Sequence, residues 1–485
     1  MPSRFAHPRR ASASDLPVEI LLLIFTQVYL ENRTSIQNVD PEFHDGDYDG
    51  DEIPVVWTQV DISERSLFPY ALVSVCRLWR NIMQSVPEFW TRIFIFYDTQ
   101  EFSLASMKSH IEASGALPIE ILVTNRGSRF YFGKPTLEQA RLRKIIDIVI
   151  PHLHRCESLS FQTIYPSSLP SVAADLQVHA PMLQYIFLEA FESSDVALSP
   201  SLPNVEFQFP ALIHLSINGW SFIDLWKNAQ TWFEQWVQQK PFQASMRVSD
   251  YHLIATDDTP FDLISAIPLL RKFTTLDFHD VHFQCPLRPA IPPQLVQLQK
   301  LTMSNLDRST TCAFLQAQFE SVEYLTIGNC PLTTDDVLPN CLSLTLEDDI
   351  PSNVLSAVIA RWTGGDLTIT ECPGLNDDVF SQLGETVFVE QQQVTRAVNA
   401  PRMTLLTIFA CYGFSIGALK SMVENRIGTV NTGNLTRVEG FRVPRMSLED
   451  REWFEAQPNR PLISWRDDGD SDELSLENGM EVVSD

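Results

Sequence analysis

Residues 413–417, Gly-Phe-Ser-Ile-Gly, carry the G-x-S-x-G spacing that exposes a serine nucleophile on a sharp turn. The pattern also lies between a strand-like segment and a helix-like segment, as that nucleophile requires. Its general base must be a histidine that follows the serine in the chain, yet the last histidine is His282. The residue order therefore excludes this hydrolase chemistry, and we interpret the two glycines as a strand-to-helix turn.

Two short segments group side chains of the types that ligate transition metals. They are His152, His154 and Cys156 in one segment, and Asp277, His279, Asp280 and His282 in the other. Neither segment has a distant set of ligands at a recognised spacing. We predict a helix end with exposed imidazoles for the first segment, a loop after a strand for the second, and no metal or other cofactor.

Charge and cysteine usage limit the possible partners of this 485-residue chain. The net charge of -26 argues against a nucleic-acid groove, which needs clustered lysine and arginine. The eight cysteines form no CxxC pair, and no apolar run approaches the roughly 18 residues that span a bilayer. We therefore expect a protein partner, no membrane contact, reduced thiols, and a cytoplasmic or nuclear location.

Two apolar segments with helical spacing, residues 16–30 and 71–90, must position any N-terminal interaction site. Pro17 lies in the first turn of the first helix, where its missing N–H costs nothing, and Asp15 is the predicted cap. The apolar residues of this helix spread over more than one stripe, so we expect its own domain to cover one side and a partner the other. The second segment ends at Pro87, with Trp90 beyond it.

Together these segments resemble an F-box. The pattern comprises a Leu-Pro opening, a glutamate, Ile-Leu and Ile-Phe pairs, and a Val-Cys-x-x-Trp helix that closes with a tryptophan. The resemblance implies that residues 14–90 bind Skp1, the linker that docks F-box proteins onto a cullin ubiquitin ligase. The implied Skp1-binding residues are Leu16, Pro17, Ile20, Leu21, Ile24, Phe25, Leu72, Val75, Cys76, Trp79 and Trp90.

An acidic insert at about residues 31–70 departs from the compact F-box pattern. Its alternating aspartates and glycines suggest a calcium loop, but counting from Asp45 puts Val56 where the glutamate ligand should stand. The composition cannot build a core, so we predict a solvated loop. We predict disorder also for residues 1–13 and for residues 467–485, which carry eight acids and no bases.

A strand-like pattern with apolar residues at its first, fourth and sixth positions recurs after residue 90, mostly every 19 to 31 residues. The fourth-position residues of the clear copies are Ile186, Leu215, Leu276, Leu301, Leu325, Leu344 and Leu406. Three copies end in a cysteine, at Cys330, Cys372 and Cys411. Helices are predicted between copies, at residues 136–150, 221–239, 310–319 and 417–426. The pattern resembles degenerate leucine-rich repeats.

The sequence thus predicts an α/β fold, with a helical F-box followed by a curved solenoid over residues 91–466. The expected function is a non-catalytic adaptor that brings an unknown protein substrate to a Skp1-cullin-F-box ubiquitin ligase. The alternative is a protein-interaction scaffold, with or without Skp1, that leads to no ubiquitination. Predicted substrate-face residues are the variable strand positions Gln184, His214, Asn218, Asp277, His279, Thr302, Thr326 and Thr368.

Overall fold

The computed structural model comprises two compact units, Met1–Trp232 and Phe233–Asp485. It describes residues 16–34, 68–98, 103–125, 135–192, 208–239, 244–252, 261–270, 272–283, 285, 297–317, 319, 321–389, 394–427, 435–456 and 461–466. The predictions of a solvated loop at about 31–70 and of disordered ends at 1–13 and 467–485 lie largely or wholly outside these residues. A domain boundary at residue 90 stays a prediction.

The first unit begins with helices α1 (Val18–Thr34), α2 (Tyr70–Val75) and α3 (Arg77–Gln84), followed by a 3-10 turn at Pro87–Trp90. The second segment of helical spacing, residues 71–90, is not one continuous helix, because the chain is extended at Cys76, with φ -160° and ψ 170°. The Cys76 sulfur accepts a hydrogen bond from the Trp79 N–H at 3.5 Å and so caps α3. The break lets two short helices replace one long helix.

Five parallel strands follow in the same unit, in an order that equals their order in the chain. They are β1 (Arg92–Phe96), β2 (Ile119–Thr124), β3 (Cys156–Thr163), β4 (Tyr185–Ala190) and β5 (His214–Asn218). The helices are α4 (Leu104–Ala113), α5 (Pro135–Val149) and α6 (Gly219–Gln239), which kinks at Ala229 and contains the boundary between the units. Ile121, Leu159 and Ile186 align across three strands and are fully buried.

The second unit continues the same pattern of parallel strands in chain order. Its strands are β6 (Ser245–His252), β7 (Thr275–His282), β8 (Gln297–Ser304), β9 (Ser321–Gly328), β10 (Cys341–Glu347), β11 (Asp366–Thr370), β14 (Leu405–Phe409), β15 (Arg437–Phe441) and β16 (Leu462–Arg466). Strands β12 (Thr386–Val389) and β13 (Val394–Ala397) form a separate antiparallel pair. The described part of the chain is thus α/β, as predicted.

The predicted equivalence of the repeat leucines is confirmed in the second unit. Leu276 pairs with Leu301, and the same register continues through Leu325, Leu344, Leu367 and Leu406. Each of these side chains is no more than 1% exposed. Two residues further along each strand, a second buried column contains Phe278, Met303 and Ile327. Alternation along the strands therefore leaves the other face to polar residues.

Helices connect many of these strands, and polar caps mark where some begin. They are α7 (Leu263–Leu270), α8 (Arg308–Gln316), α9 (Ser352–Arg361), α10 (Asp377–Leu383), α11 (Ile416–Ile427) and α12 (Leu448–Ala456). Asp307 caps α8 by accepting from the Ser309 N–H at 3.1 Å, and Asn376 caps α10 in the same way. The helices predicted at 136–150, 221–239, 310–319 and 417–426 are confirmed as α5, α6, α8 and α11, with small shifts at their ends.

A left-handed turn recurs at the carboxyl end of the strands in the second unit. It lies four residues after the buried residue of the leucine column, which is Met246 in β6, Val438 in β15 and leucine in the other strands. The turn occupies Asp250, Asp280, Asn305, Asn329, Asp348, Glu371, Ala410 and Arg442, all with φ between 44° and 70°. Asparagine and aspartate tolerate this conformation better than most residues. From β8 onwards the turn follows the strand directly, whereas in β6 and β7 the strand continues for two more residues, to His252 and His282.

The residue after this turn is buried in every case except Asp349, and in three repeats it is a cysteine. The thiol of Cys330 donates to the Met303 carbonyl at 3.5 Å, and that of Cys411 donates to the Ile369 carbonyl at 3.6 Å. Burial raises the pKa of the Cys411 thiol to about 11, so it remains protonated at neutral pH. These cysteines are free, and the thiols of Cys330 and Cys411 link their turns to the preceding repeat.

Among the described residues, every helix is too short or too polar to cross a bilayer.

Candidate interaction surfaces

One side of α1 packs into an apolar cluster of its own unit. Leu21 and Phe25 are buried there with Trp90, and Phe25 meets the Trp79 ring edge-on at 5.0 Å. Trp90 also donates its indole N–H to the Met83 carbonyl at 2.8 Å. The prediction that Leu21, Phe25 and Trp90 contact Skp1 is therefore wrong, because their side chains have no surface left for a partner. Their role is to hold α1, α3 and the 3-10 turn together.

The opposite side of α1 is apolar as well, and no described residue covers it. Ile20, Leu23 and Ile24 lie within 100° of one another on the helical wheel, and Leu23 is 67% exposed. Leu16 and Pro17 precede this face and are also exposed. We call Leu16, Ile20, Leu23 and Ile24 the α1 stripe. An uncovered helical stripe of this kind is expected where a partner binds.

Exposed apolar residues also occur where α2 meets α3. Val75 is 58% exposed at the end of α2, and Leu78 is 37% exposed in the first turn of α3. Leu72, Cys76 and Trp79 are half-buried, since part of each contributes to the unit's own packing. The predicted set thus divides into exposed, half-buried and fully buried members. Sequence periodicity could not make this division, because the apolar residues surround α1 on nearly all sides.

The second unit offers a different surface, the polar face of its parallel strands. Thr302, Thr326 and Thr368 lie in one register column, as do Thr345 and Thr407, which the sequence analysis missed. Except for Thr407, these threonines are half-buried. The repeat pattern contained this signal, because each threonine directly follows the buried leucine of its repeat. The column presents a row of hydroxyl groups with strand spacing of about 4.8 Å.

Charged residues occupy the start of this polar face. Asp277 pairs with Arg247 on the neighbouring strand, at 3.5 Å between the carboxylate and the guanidinium. Burial raises the pKa of Asp277 despite the opposing effect of Arg247, and burial likewise lowers the pKa of the nearby Lys300. His279 lies on the same strand and is exposed. This part of the face can therefore offer both charge signs to a partner.

Two predicted substrate-face residues are buried instead, and those predictions are wrong. His214 is 3% exposed, with its ring 5.3 Å from that of Phe187. Asn218 is fully buried, and its side-chain oxygen accepts from the Trp220 N–H at 2.9 Å at the start of α6. Gln184 is half-buried just before β4. Strand alternation alone could not reveal that both faces of β5 are covered.

Ser415 is the N-terminal cap of α11. Its hydroxyl oxygen accepts from the Ala418 N–H at 3.1 Å, while the hydroxyl donates to the Asp377 carboxylate at 2.9 Å. Asp377 also accepts from the Ser415 backbone N–H at 2.6 Å. The interpretation of residues 413–417 as a strand-to-helix turn is confirmed. These contacts account for both hydrogen-bonding functions of the hydroxyl group.

The two histidine-containing segments differ in what the structure brings together. Cys156 is buried and its thiol donates to the Ser158 carbonyl at 3.1 Å, whereas His154 is exposed. Asp280 and His282 instead lie close to His252, which the sequence analysis did not consider as a ligand. Among the described residues, this is the one group of three or more histidine, cysteine or acidic side chains arranged closely enough for a metal ion.

No known protein-family model matches the chain, and no curated protein sequence matches it either.

Proposed function

We propose that this protein is a non-catalytic substrate-recognition adaptor of a Skp1-cullin-F-box ubiquitin ligase. In this proposal the α1 stripe, with Val75 and Leu78, binds Skp1, and cullin joins through Skp1. The protein acts in the cytoplasm or the nucleus. The polar strand face of the second unit binds a protein substrate, and the chemistry of ubiquitin transfer belongs to the recruited enzymes.

The α1 stripe is the observation that carries the proposal. Leu21 and Phe25 already fill the core side of α1, so folding of the unit does not require leucine or isoleucine at positions 20, 23 and 24. Exposed apolar side chains on one helix face are favourable only when a partner removes them from water. They also belong to the part of the sequence that resembles an F-box.

The strand face supports the second half of the proposal. Parallel strands in constant register present their outward side chains in straight columns, which suits the binding of an extended protein surface. The threonine column supplies hydroxyl groups, and the Arg247 and Asp277 pair supplies charge at its start. The chain's net charge of -26 favours substrates with a basic surface.

The first test replaces a stripe residue with an acid. Ile24→Asp should reduce capture of purified Skp1 by the full-length protein at least about 100-fold, because an unpaired carboxylate in an apolar interface costs several kcal/mol. The matched control is Leu448→Asp, since Leu448 is 74% exposed at the start of α12, where an acid is tolerated. Far-UV circular dichroism should show that both variants remain folded.

Undiminished capture by folded Ile24→Asp would overturn the assigned surface. If wild-type protein captures Skp1 but neither cullin nor ubiquitinated proteins when the proteasome is inhibited, the scaffold alternative replaces the ligase adaptor. Capture of Skp1 together with cullin, lost in Ile24→Asp and retained in Leu448→Asp, supports the adaptor.

A further inference from the structure

Two histidines and an aspartate converge at the carboxyl ends of strands β6 and β7. The Nδ1 atoms of His252 and His282 are 3.1 Å apart. The Nε2 atom of His252 is 2.8 Å from a carboxylate oxygen of Asp280, and Nε2 of His282 is 3.2 Å from the Asn305 carbonyl oxygen. The three side chains are half-buried, so an ion and its water ligands can reach them from solvent.

The repeat architecture creates this arrangement. The parallel register pairs His252 with His282 directly, on strands that lie about 4.8 Å apart. Asp280 occupies the left-handed turn of β7, with φ 53°, and Asn305 occupies the same turn of the next repeat. The Asn305 side-chain amide donates to Asp280, and the Asn329 amide donates to Asn305 at 3.0 Å. A chain of hydrogen bonds thus fixes the carboxylate beside His252.

The partners of the two rings determine which ring nitrogens carry a hydrogen. An ionised carboxylate and a backbone carbonyl are both pure acceptors, so Nε2 of His252 and Nε2 of His282 must each carry a hydrogen. In two neutral imidazoles the remaining nitrogens, both Nδ1, are then acceptors 3.1 Å apart, in rings inclined at 80° with centroids 4.3 Å apart. Two acceptors have no hydrogen to share. A cation close to both nitrogens, either one extra proton or a metal ion, makes the contact favourable.

The surroundings favour a metal ion over a proton. Two nitrogens on one tetrahedral ion lie roughly 3.3 Å apart when each metal–nitrogen distance is about 2.0–2.1 Å. The observed separation of 3.1 Å is close to that value, and the two rings, now 4.3 Å apart at 80°, must turn for both lone pairs to aim at one ion. Metal-bound histidines characteristically donate their other ring N–H to a carboxylate or a backbone carbonyl, and both kinds of partner are present. Imidazole ligands select zinc, copper and nickel over magnesium and calcium.

We propose that His252 and His282 bind a divalent transition metal ion, Zn²⁺ foremost, through their Nδ1 atoms. Asp280 and the Asn305 carbonyl orient the two rings from outside. Two protein nitrogens leave coordination positions for water or for a side chain of a bound protein. The site lies at the end of the strands that form the polar face, so an ion there can take part in binding at that face.

The decisive experiment is a titration of the full-length, reduced, metal-free protein with Zn²⁺ alone. We expect calorimetry to detect one binding event that is lost in His252→Gln and in His282→Gln. Asp280→Asn should weaken that event about 10- to 100-fold without abolishing it. The matched control is His279→Gln. It removes an exposed histidine from β7, the strand that contains His282, and should leave the binding event unchanged.

A second measurement needs no variant and therefore no assumption about folding. Nitrogen NMR spectra of the wild-type protein with ¹⁵N-labelled histidine distinguish the two ring nitrogens. On addition of Zn²⁺, two histidines should show metal-induced shifts at Nδ1 while Nε2 keeps its hydrogen. Shifts at Nε2, no zinc-dependent change, or a binding event that survives both glutamine substitutions would overturn the proposal and favour a shared proton.

Discussion

Replacing Leu325 with alanine should lower the free energy of unfolding of the second unit by about 2–5 kcal/mol. Leu325 is 1% exposed and lies in the leucine column between Leu301 and Leu344. The truncated side chain leaves a cavity that well-packed strands on both sides cannot fill. Each repeat contacts mainly its neighbours, so we expect β8, β9 and β10 to lose protection first.

Thr326→Ala is the matched control for this substitution. The residue is next in the chain, lies in the same strand and faces the polar side, where it is half-buried. We expect its effect to remain below about 1 kcal/mol. Urea denaturation gives the stabilities, and hydrogen exchange read by mass spectrometry gives the local protection. Equal effects of the two substitutions, or a uniform loss of protection along the chain, would contradict the repeat interpretation.

Replacing Arg426 with methionine should destabilise the second unit by about 3 kcal/mol or more. The guanidinium is 2% exposed and donates to the carbonyls of Leu383 at 2.7 Å, Asn399 at 3.1 Å and Ala400 at 2.6 Å. Burial lowers the pKa of Arg426 to about 10, which still leaves it charged at neutral pH. Methionine retains apolar bulk but removes the guanidinium from all three carbonyls. The Ala400 carbonyl still accepts from the Met403 N–H at 3.1 Å, and each acceptor left unsatisfied costs about 1–3 kcal/mol.

Arg426→Lys distinguishes the contribution of the positive charge to stability from that of the guanidinium's hydrogen-bond geometry. Lysine keeps the positive charge but offers a single ammonium in place of the planar guanidinium, so we expect an intermediate loss. Arg451→Met is the exposed control, with an expected change below about 0.5 kcal/mol. Hydrogen exchange should show the Arg426→Met effect first around the end of α10 and residues 399–400. A stability unchanged from wild type would show that the three carbonyls find other donors.

The strand ladder could be predicted from the sequence because its signal is local and repeated. Leu276, Leu301, Leu325, Leu344 and Leu406 each stand between other apolar residues at fixed offsets, and one register aligns all five. Helices such as α5 and α11 also follow from local apolar spacing. Predicting such features does not require knowing which distant segments of the chain contact one another.

The candidate sites were only partly predictable, because burial depends on distant segments. The same apolar spacing describes Ile24, which is exposed, and Phe25, which packs against Trp79. The proximity of His252 to His282 arises from pairing between strands 30 residues apart. The apolar residues Met246 and Val248 fit the fourth and sixth positions of the strand pattern, so the sequence contained this information. When Met246 is aligned with Leu276, the two histidines align six residues further along.

The recurring left-handed turn has a consequence for the evolution of this chain. From Asp280 to Arg442 every junction between a strand of the main sheet and the segment after it uses the same backbone conformation at the same register position. Unequal recombination between two such junctions would delete or duplicate a whole repeat, and the backbone conformation of the junctions on either side would stay the same. The length of the polar face can therefore change by one strand at a time, while side chains within the threonine column diversify independently.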